Sequence, residues 1–291
     1  MKKRLLPALG LLMLAAGCSS GSPVSQESLK VGVEAAPPPP RGALVLADES
    51  GDRAVALAVG KQRLTATVLD SSGGPLSGLK VAFATGSKVV PANPCGHGCY
   101  SAAAHRPRHV QVRLSGSGRV DFDIPARTAP AAAIVARAAG ATRKLKSLVY
   151  VESLRSTPKG GLLTTWSMKA PNEVEYRIRD GAQAIVLGTK RWDRDRAGAK
   201  WRRSEQLPAL RVPQPAWGSR ATNAYVIGQT RVAGRPAWLV SFVNPNTPAW
   251  FTVAIDRATY RPLRLRMTAA AHFMRHRYLE FNRPLTIEPP A

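Results

Sequence analysis

Apolar and polar positions alternate with a period of two along most of the chain from residue 43 onward. The first stretches are Ala43–Leu46, Ala54–Val59, Arg63–Leu69, Lys80–Ala84, His109–Leu114 and Val120–Ile124. Between them lie turn-forming runs such as Ser71-Ser-Gly-Gly-Pro75 and Ser115-Gly-Ser-Gly118. Six or seven short alternating segments within about 85 residues predict an immunoglobulin-like β-sandwich over residues 43–127.

The alternation is interrupted once. Residues 131–146 are rich in Ala, with Ile134, Val135, Ala138 and Leu145 on one helical face and Pro130 at a favourable first helical position. After this single predicted helix, period two returns at Leu148–Val151, Leu162–Met168, Val174–Ile178, Ile185–Leu187, Tyr225–Ile227, Trp238–Phe242, Phe251–Ile255, Leu263–Met267 and Tyr278–Phe281. Glu173, Glu175, Arg177 and Arg179 alternate with one set, and Arg264 and Arg266 with another. Turn residues at Ala170-Pro-Asn172, Asp180-Gly181, Ala197-Gly198 and Asn244-Pro-Asn246 suit an antiparallel meander. About nine strands and one helix cannot place helices on both faces of a sheet. The expectation for residues 128–291 is therefore a curved antiparallel half barrel wrapped around that helix, in a mainly β protein.

Its apolar face offers candidate ligand-cavity residues: Trp166, Met168, Val174, Tyr176, Ile178, Trp238, Val240, Phe242, Phe251, Val253, Ile255, Leu263, Leu265 and Met267. All six tryptophans fall in this second unit, at 166, 192, 201, 217, 238 and 250. Large aromatics on alternating strands line a cavity only where sheet and helix fail to close on each other; otherwise they are core. No second helical insertion stands out as a lid.

The first forty residues carry a different signal. Met1-Lys-Lys-Arg4 is cationic, and Leu5–Ala16 is apolar but shorter than the roughly twenty residues that span a bilayer. The ending Leu14-Ala-Ala-Gly-Cys18, followed by polar Ser19-Ser-Gly-Ser22, resembles a bacterial lipobox. That resemblance implies a signal peptide over residues 1–17, cleavage before Cys18 and acylation of Cys18. Residues 18–42, with Pro37–Pro40, form a tether in this reading, reaching roughly 25 Å if coiled. The expected location is the outer face of the cytoplasmic membrane, with the N-terminal lipid as anchor.

The order of helix and amphipathic meander over about residues 130–290 resembles the LolA/LolB-like superfamily of half-barrel lipoprotein carriers. The pieces Tyr176–Gly181, Gly188–Trp192 and Lys200-Trp201 carry that likeness. Ala269–Asn282 resembles the tail of actinobacterial proteins in which such a domain follows membrane-embedded copper-resistance-like modules. Pro94-Cys-Gly-His-Gly-Cys-Tyr100 is similar to the small sandwich of the same proteins. Membership would imply a hydrophobic cavity between sheet and helix that holds a lipid or acyl group, and no catalytic residue.

Charge adds a second consideration. Forty-two Lys and Arg against eighteen Asp and Glu give +24, most of it after residue 127. An exported chain does not meet nucleic acid, so the anionic partners to consider are phospholipid and cell-envelope polymer, beside a plainly solvated exterior. Arg side chains at the cavity rim would then select an anionic headgroup.

Cys95 and Cys99 are the natural disulfide pair, closing a loop of about five residues. The same residues with His97 support another reading, an extracytoplasmic copper-handling protein, with His105 and His109 close in sequence and His272 and His276 four residues apart. A third reading is a non-catalytic envelope structural or adhesion module. Gly-x-Ser-x-Gly, His-Glu-x-x-His, Walker and Gly-x-Gly-x-x-Gly motifs are missing, so the reading is of a non-enzyme without cofactor. Asp193 and Asp195, beside Arg191, Arg194 and Arg196, look like a turn surface.

Overall fold

The computed structural model describes residues 35–290, apart from residues 117, 157–159, 219, 246–248 and 270–271. Cys18 and the lipobox lie outside the described residues.

Nine strands form two facing antiparallel sheets. They are β1 (Leu44–Ser50), β2 (Arg53–Val59), β3 (Arg63–Leu69), β4 (Val81–Thr85), β5 (Lys88–Pro91), β6 (Asn93–Gly96), β7 (Cys99–Ala103), β8 (His109–Leu114) and β9 (Arg119–Asp123). One sheet has the order β1-β2-β3-β7-β6 and the other β5-β4-β8-β9. Leu57, Leu64, Val68, Phe83, Tyr100, Val110, Val112 and Phe122 fill the space between them. The chain changes sheets at Ala92, between β5 and β6. The alternation pattern does not reveal β5, β6 and β7, because Pro91, Pro94, Gly96 and Gly98 interrupt it.

The remainder builds one sheet of twelve strands on a single helix. These are β10 (Ala129–Pro130), α1 (Ala132–Arg143), β11 (Ser147–Arg155), β12 (Leu162–Lys169), β13 (Glu173–Ile178), β14 (Gln183–Leu187), β15 (Lys190–Arg194) and β16 (Arg202–Glu205). They continue with β17 (Thr222–Val232), β18 (Arg235–Asn244), β19 (Ala249–Asp256), β20 (Pro262–Ala269) and β21 (His272–Phe281). The order is β10-β17-β18-β19-β20-β21-β11-β12-β13-β14-β15-β16. Pro130 does not start the helix; it sits in the edge bridge β10, opposite Tyr225, and α1 begins at Ala132.

This order has a consequence for the path of the chain. From β11 at the centre the meander runs outward to β16 at one edge, and it returns from β17 near the other edge to β21 beside β11. The segment between β16 and β17 must therefore cross the open side of the half barrel.

Both faces of the sheet carry other elements. Its inner face carries α1. Its outer face receives the sandwich, where Val243, Trp250 and Phe273 pack on Ala43, Val45, Ala54, Ala56 and Ala58. Strand β2 thus alternates two kinds of burial: Val55, Leu57 and Val59 enter the sandwich core, while its alanines meet the half barrel. Small side chains let the two sheets approach closely. Polar contacts ring this seam. Ser241 donates to the Val45 carbonyl, Asn223 Nδ2 to the carbonyls of Pro40 (2.9 Å) and Ala43 (2.8 Å), and the Tyr225 hydroxyl to that of Gly42 (2.7 Å). Arg266 pairs with Asp48, and Arg155 and Arg275 with Glu49. Residues 36–42, which composition assigns to the tether, lie in this junction: Ala36 packs on the alanine seam.

Candidate functional site

Along α1 the residues turned toward the sheet are Val135, Ala138, Ala139 and Thr142, a low ridge that brings the helix down onto the strands. Beneath it Val240, Phe242, Phe251, Val253, Ile255, Leu265 and Met267 are buried in one cluster. Phe242 and Phe251, opposite each other across β18 and β19, stack with ring centroids 5.2 Å apart. Seven of the fourteen candidate cavity residues are thus brought together and packed against the helix. Trp238 is at the margin of this cluster, tilted 5.4 Å from the ring of Tyr260. Leu263 is not part of it. A bulge between Ala254 and Ile255 shifts the register, and Leu263 packs with Ala237 and Ala254 instead.

The segment from Gln206 to Gly218 forms neither helix nor strand and lies across the inner side as a strap. Its ends are tied at opposite ends of the strands. The amide of Gln206 donates to Thr189 (2.8 Å) and that of Val212 to Pro171 (2.9 Å), while Asn244 Nδ2 donates to the Trp217 carbonyl (3.3 Å). Pro213, Pro215 and Trp217 point inward at alternate positions and are buried. Trp217 is 1% exposed and meets Phe242 edge-on at 5.7 Å. Its indole N–H is buried with no acceptor among the described residues. The prolines obscure this segment in the sequence, although their spacing to Trp217 has a strand-like period of two.

The other half of the inner face is more polar. Leu145, just past the helix, packs with Leu148 and Tyr150, and Trp166, Met168 and Tyr278 flank them. Glu152 and His276, register partners on β11 and β21, form a buried pair at 2.9 Å, with the ring of Tyr150 lying 4.7 Å from the imidazole. Burial, reinforced by the Glu152 carboxylate, drives the phenols of Tyr150 and Tyr278 far above their ordinary range. Both stay neutral hydroxyls. Of this cluster, the sequence pattern marked Trp166, Met168 and His276 but missed Glu152 and Tyr150.

Beyond it the inner face opens into a groove of about 630 Å³. Leu162, Tyr176, Ile178 and Ala182 line its apolar side, and Arg191, Asp193, Asp195, Arg202 and Ser204 its polar side. Val174 and Tyr176, on the same strand, are both buried, and of the fourteen candidates Tyr176 and Ile178 are the two that border this opening. Four arginines border the groove, and two of them, Arg191 and Arg202, are matched by acids, while Arg194 bonds Gln183 and lies over the Trp201 ring. Arg191 grips Asp193 with two bonds of 2.7 Å, and Arg202 holds Asp195 through bonds of 2.8 and 2.7 Å. Arg202 keeps the Asp195 carboxyl below its usual pKa. Both aspartates line the groove, Asp193 from β15 and Asp195 from the exposed start of the β15–β16 turn, and they neutralise two of its four arginines.

Cys95 and Cys99 are joined in a disulfide, Cα atoms 5.0 Å apart, at the β6–β7 hairpin. The thiolates that a copper site there would need are consumed. His97 and His105 are exposed; His109 bonds Asp123 across the β8–β9 pair at 2.9 Å. His272 and His276 lie on strand β21, not on a helix. Among the described residues no three His, Cys, Asp or Glu side chains gather as a metal-binding group, and no helix is long and apolar enough to cross a membrane.

The sequence matches no family model and no curated protein. Solved structures with a similar chain path include the lipoprotein LppX of Mycobacterium tuberculosis, 15% identical over 54% of this chain and 97% of that one, with a TM-score of 0.44. LprF from Mycobacterium bovis is 14% identical, over 55% of this chain and 96% of its own, with a TM-score of 0.40. A LolA-superfamily protein from Nitrosomonas europaea is 8% identical, over 54% and 96%, with a TM-score of 0.26.

Proposed function

We propose that this chain is an exported protein, anchored through acylated Cys18, that binds a hydrophobic ligand, a lipid or acyl group, on the inner face of the half barrel. The observation that carries this reading is a mismatch of dimensions. A helix of 12 residues is about 18 Å long, whereas twelve strands about 4.8 Å apart extend over some 50 Å of arc. One helix cannot cover such a face, and the groove beside Tyr176 and Ile178 is where the cover ends. Burial of ligand methylenes there, each stabilising by about 0.8 kcal/mol, would supply the affinity. With Arg191 and Arg202 occupied by aspartates, selection for an anionic headgroup is not part of this proposal.

The test is native mass spectrometry of residues 19–291, secreted into a bacterial periplasm and purified without detergent. Discrete added masses, released by organic extraction and reduced by Ile178→Arg in a protein that still melts cooperatively, are the expected result. A bare protein mass that also gains nothing on incubation with palmitate or phospholipid would overturn it.

A further inference from the structure

The strap Gln206–Gly218 is an unusual cover. From Pro213 to Trp217 no main-chain amide donates to the sheet or the helix among the described residues, and Pro208, Pro213 and Pro215 have none to offer. Among the described residues its polar ties are the amides of Gln206 and Val212, the Gln206 side-chain oxygen, which accepts from Arg191 on β15 (3.3 Å), and the Trp217 carbonyl. What fixes the middle is burial of Pro213, Pro215 and Trp217, the last of them within the apolar cluster that contains Phe242. That is the same kind of stabilisation an alkyl chain would offer in their place, and roughly four methylenes equal one large side chain.

Trp217 is also a poor choice as permanent filling. A buried indole ordinarily finds an acceptor for its N–H, and this one has none among the described residues. Phe would occupy the space without that cost. In water the N–H would be satisfied, so the unmet donor biases the strap toward leaving.

We propose that Trp217 stands in an acyl-chain site between α1 and strands β18–β19, and that a ligand chain enters by replacing it. The proposal rests on the ligand-binding reading and extends the site along the inner face from the groove beside Tyr176 and Ile178 to the helix, where it names the residue the chain displaces. Both ends of the strap stay covalently held at opposite edges of the sheet, so the middle can swing out without unpairing a strand.

The experiment uses residues 19–291 stripped of ligand, with palmitate as the probe. Trp217 emission is isolated as the difference between the wild type and Trp217→Phe. On loading, the expected changes are a red shift of that emission and at least fivefold greater quenching by iodide. Trp217→Ala, which removes the plug, should bind palmitate about tenfold more tightly, provided its melting transition shows it folded. If the wild type binds palmitate while Trp217 stays blue-shifted and shielded, the plug assignment fails and the ligand-binding reading stands. If neither the wild type nor a folded Trp217→Ala binds palmitate, both fail together.

Discussion

Asp256 shows how one side chain sets a turn. Its carboxylate, 2% exposed at the end of β19, accepts from the amides of Ala258 (3.0 Å) and Thr259 (2.7 Å) and from the Thr259 hydroxyl (2.9 Å), and pairs with Arg235 at 2.7 Å. Burial alone would raise its pKa, but the Thr259 hydrogen bonds and Arg235 together outweigh it and hold the acid below its ordinary value. A carboxyl depressed in the folded state stabilises above its unfolded pKa, near 3.8, and loses that contribution as pH falls through the folded value. Asp256→Asn is expected to lower stability at pH 7 by about 1.5–3 kcal/mol and to remove part of the acid sensitivity below pH 4, measured by denaturant titration at both pH values. The Glu152–His276 pair makes a sharper case. His276→Ala leaves a buried carboxylate without its partner and should cost about 3–5 kcal/mol, whereas Glu152→Gln combined with His276→Gln should restore most of it. A loss in the double variant equal to the sum of the losses of Glu152→Gln and His276→Gln alone would show that the pair is not coupled.

At the scale of elements, legibility followed periodicity. Arg53–Val59 and the inner positions of β18, β19 and β20 could be read because large and small or apolar and charged residues alternate without interruption. Strands β15 and β16 surfaced only as hairpin fragments, since their inner residues are Arg191, Asp193, Arg202 and Ser204 rather than apolar. The strap left no signal of its own, because an extended run with no partner strand and prolines at 213 and 215 looks like a linker. The candidate site was legible as a face but not as an opening. Which apolar residues become core and which border a groove depends on where the helix and strap end, and periodicity does not encode that. The β6–β7 hairpin allows a clean test of an element-level contribution. Its disulfide closes so short a loop that Cys95→Ser/Cys99→Ser should lower stability by only about 2 kcal/mol, and the double variant should keep its far-ultraviolet spectrum, with Tyr100 still bonded to Leu76 and Leu79.

For the whole molecule, the alanine seam makes the sandwich part of the half barrel's outer wall. Ala56→Arg would drive a charge against the cluster containing Trp250 and Phe273, and two calorimetric transitions should then replace one. A single transition, merely shifted, would mean that the two units do not melt independently even when the seam is broken. The strand order also has a meaning in time. Glu152 and His276 face each other on the central pair β11–β21 yet are 124 residues apart, so the ribosome completes β11 through β16 long before β21 exists. Until then the edge Leu148-Val-Tyr-Val151 is unpaired on the side that β21 will cover, an apolar template open to other chains. A chain ending before residue 272 would lack its keystone rather than its fringe, and the interval before the last strand arrives is the one in which the edge of β11 lies open.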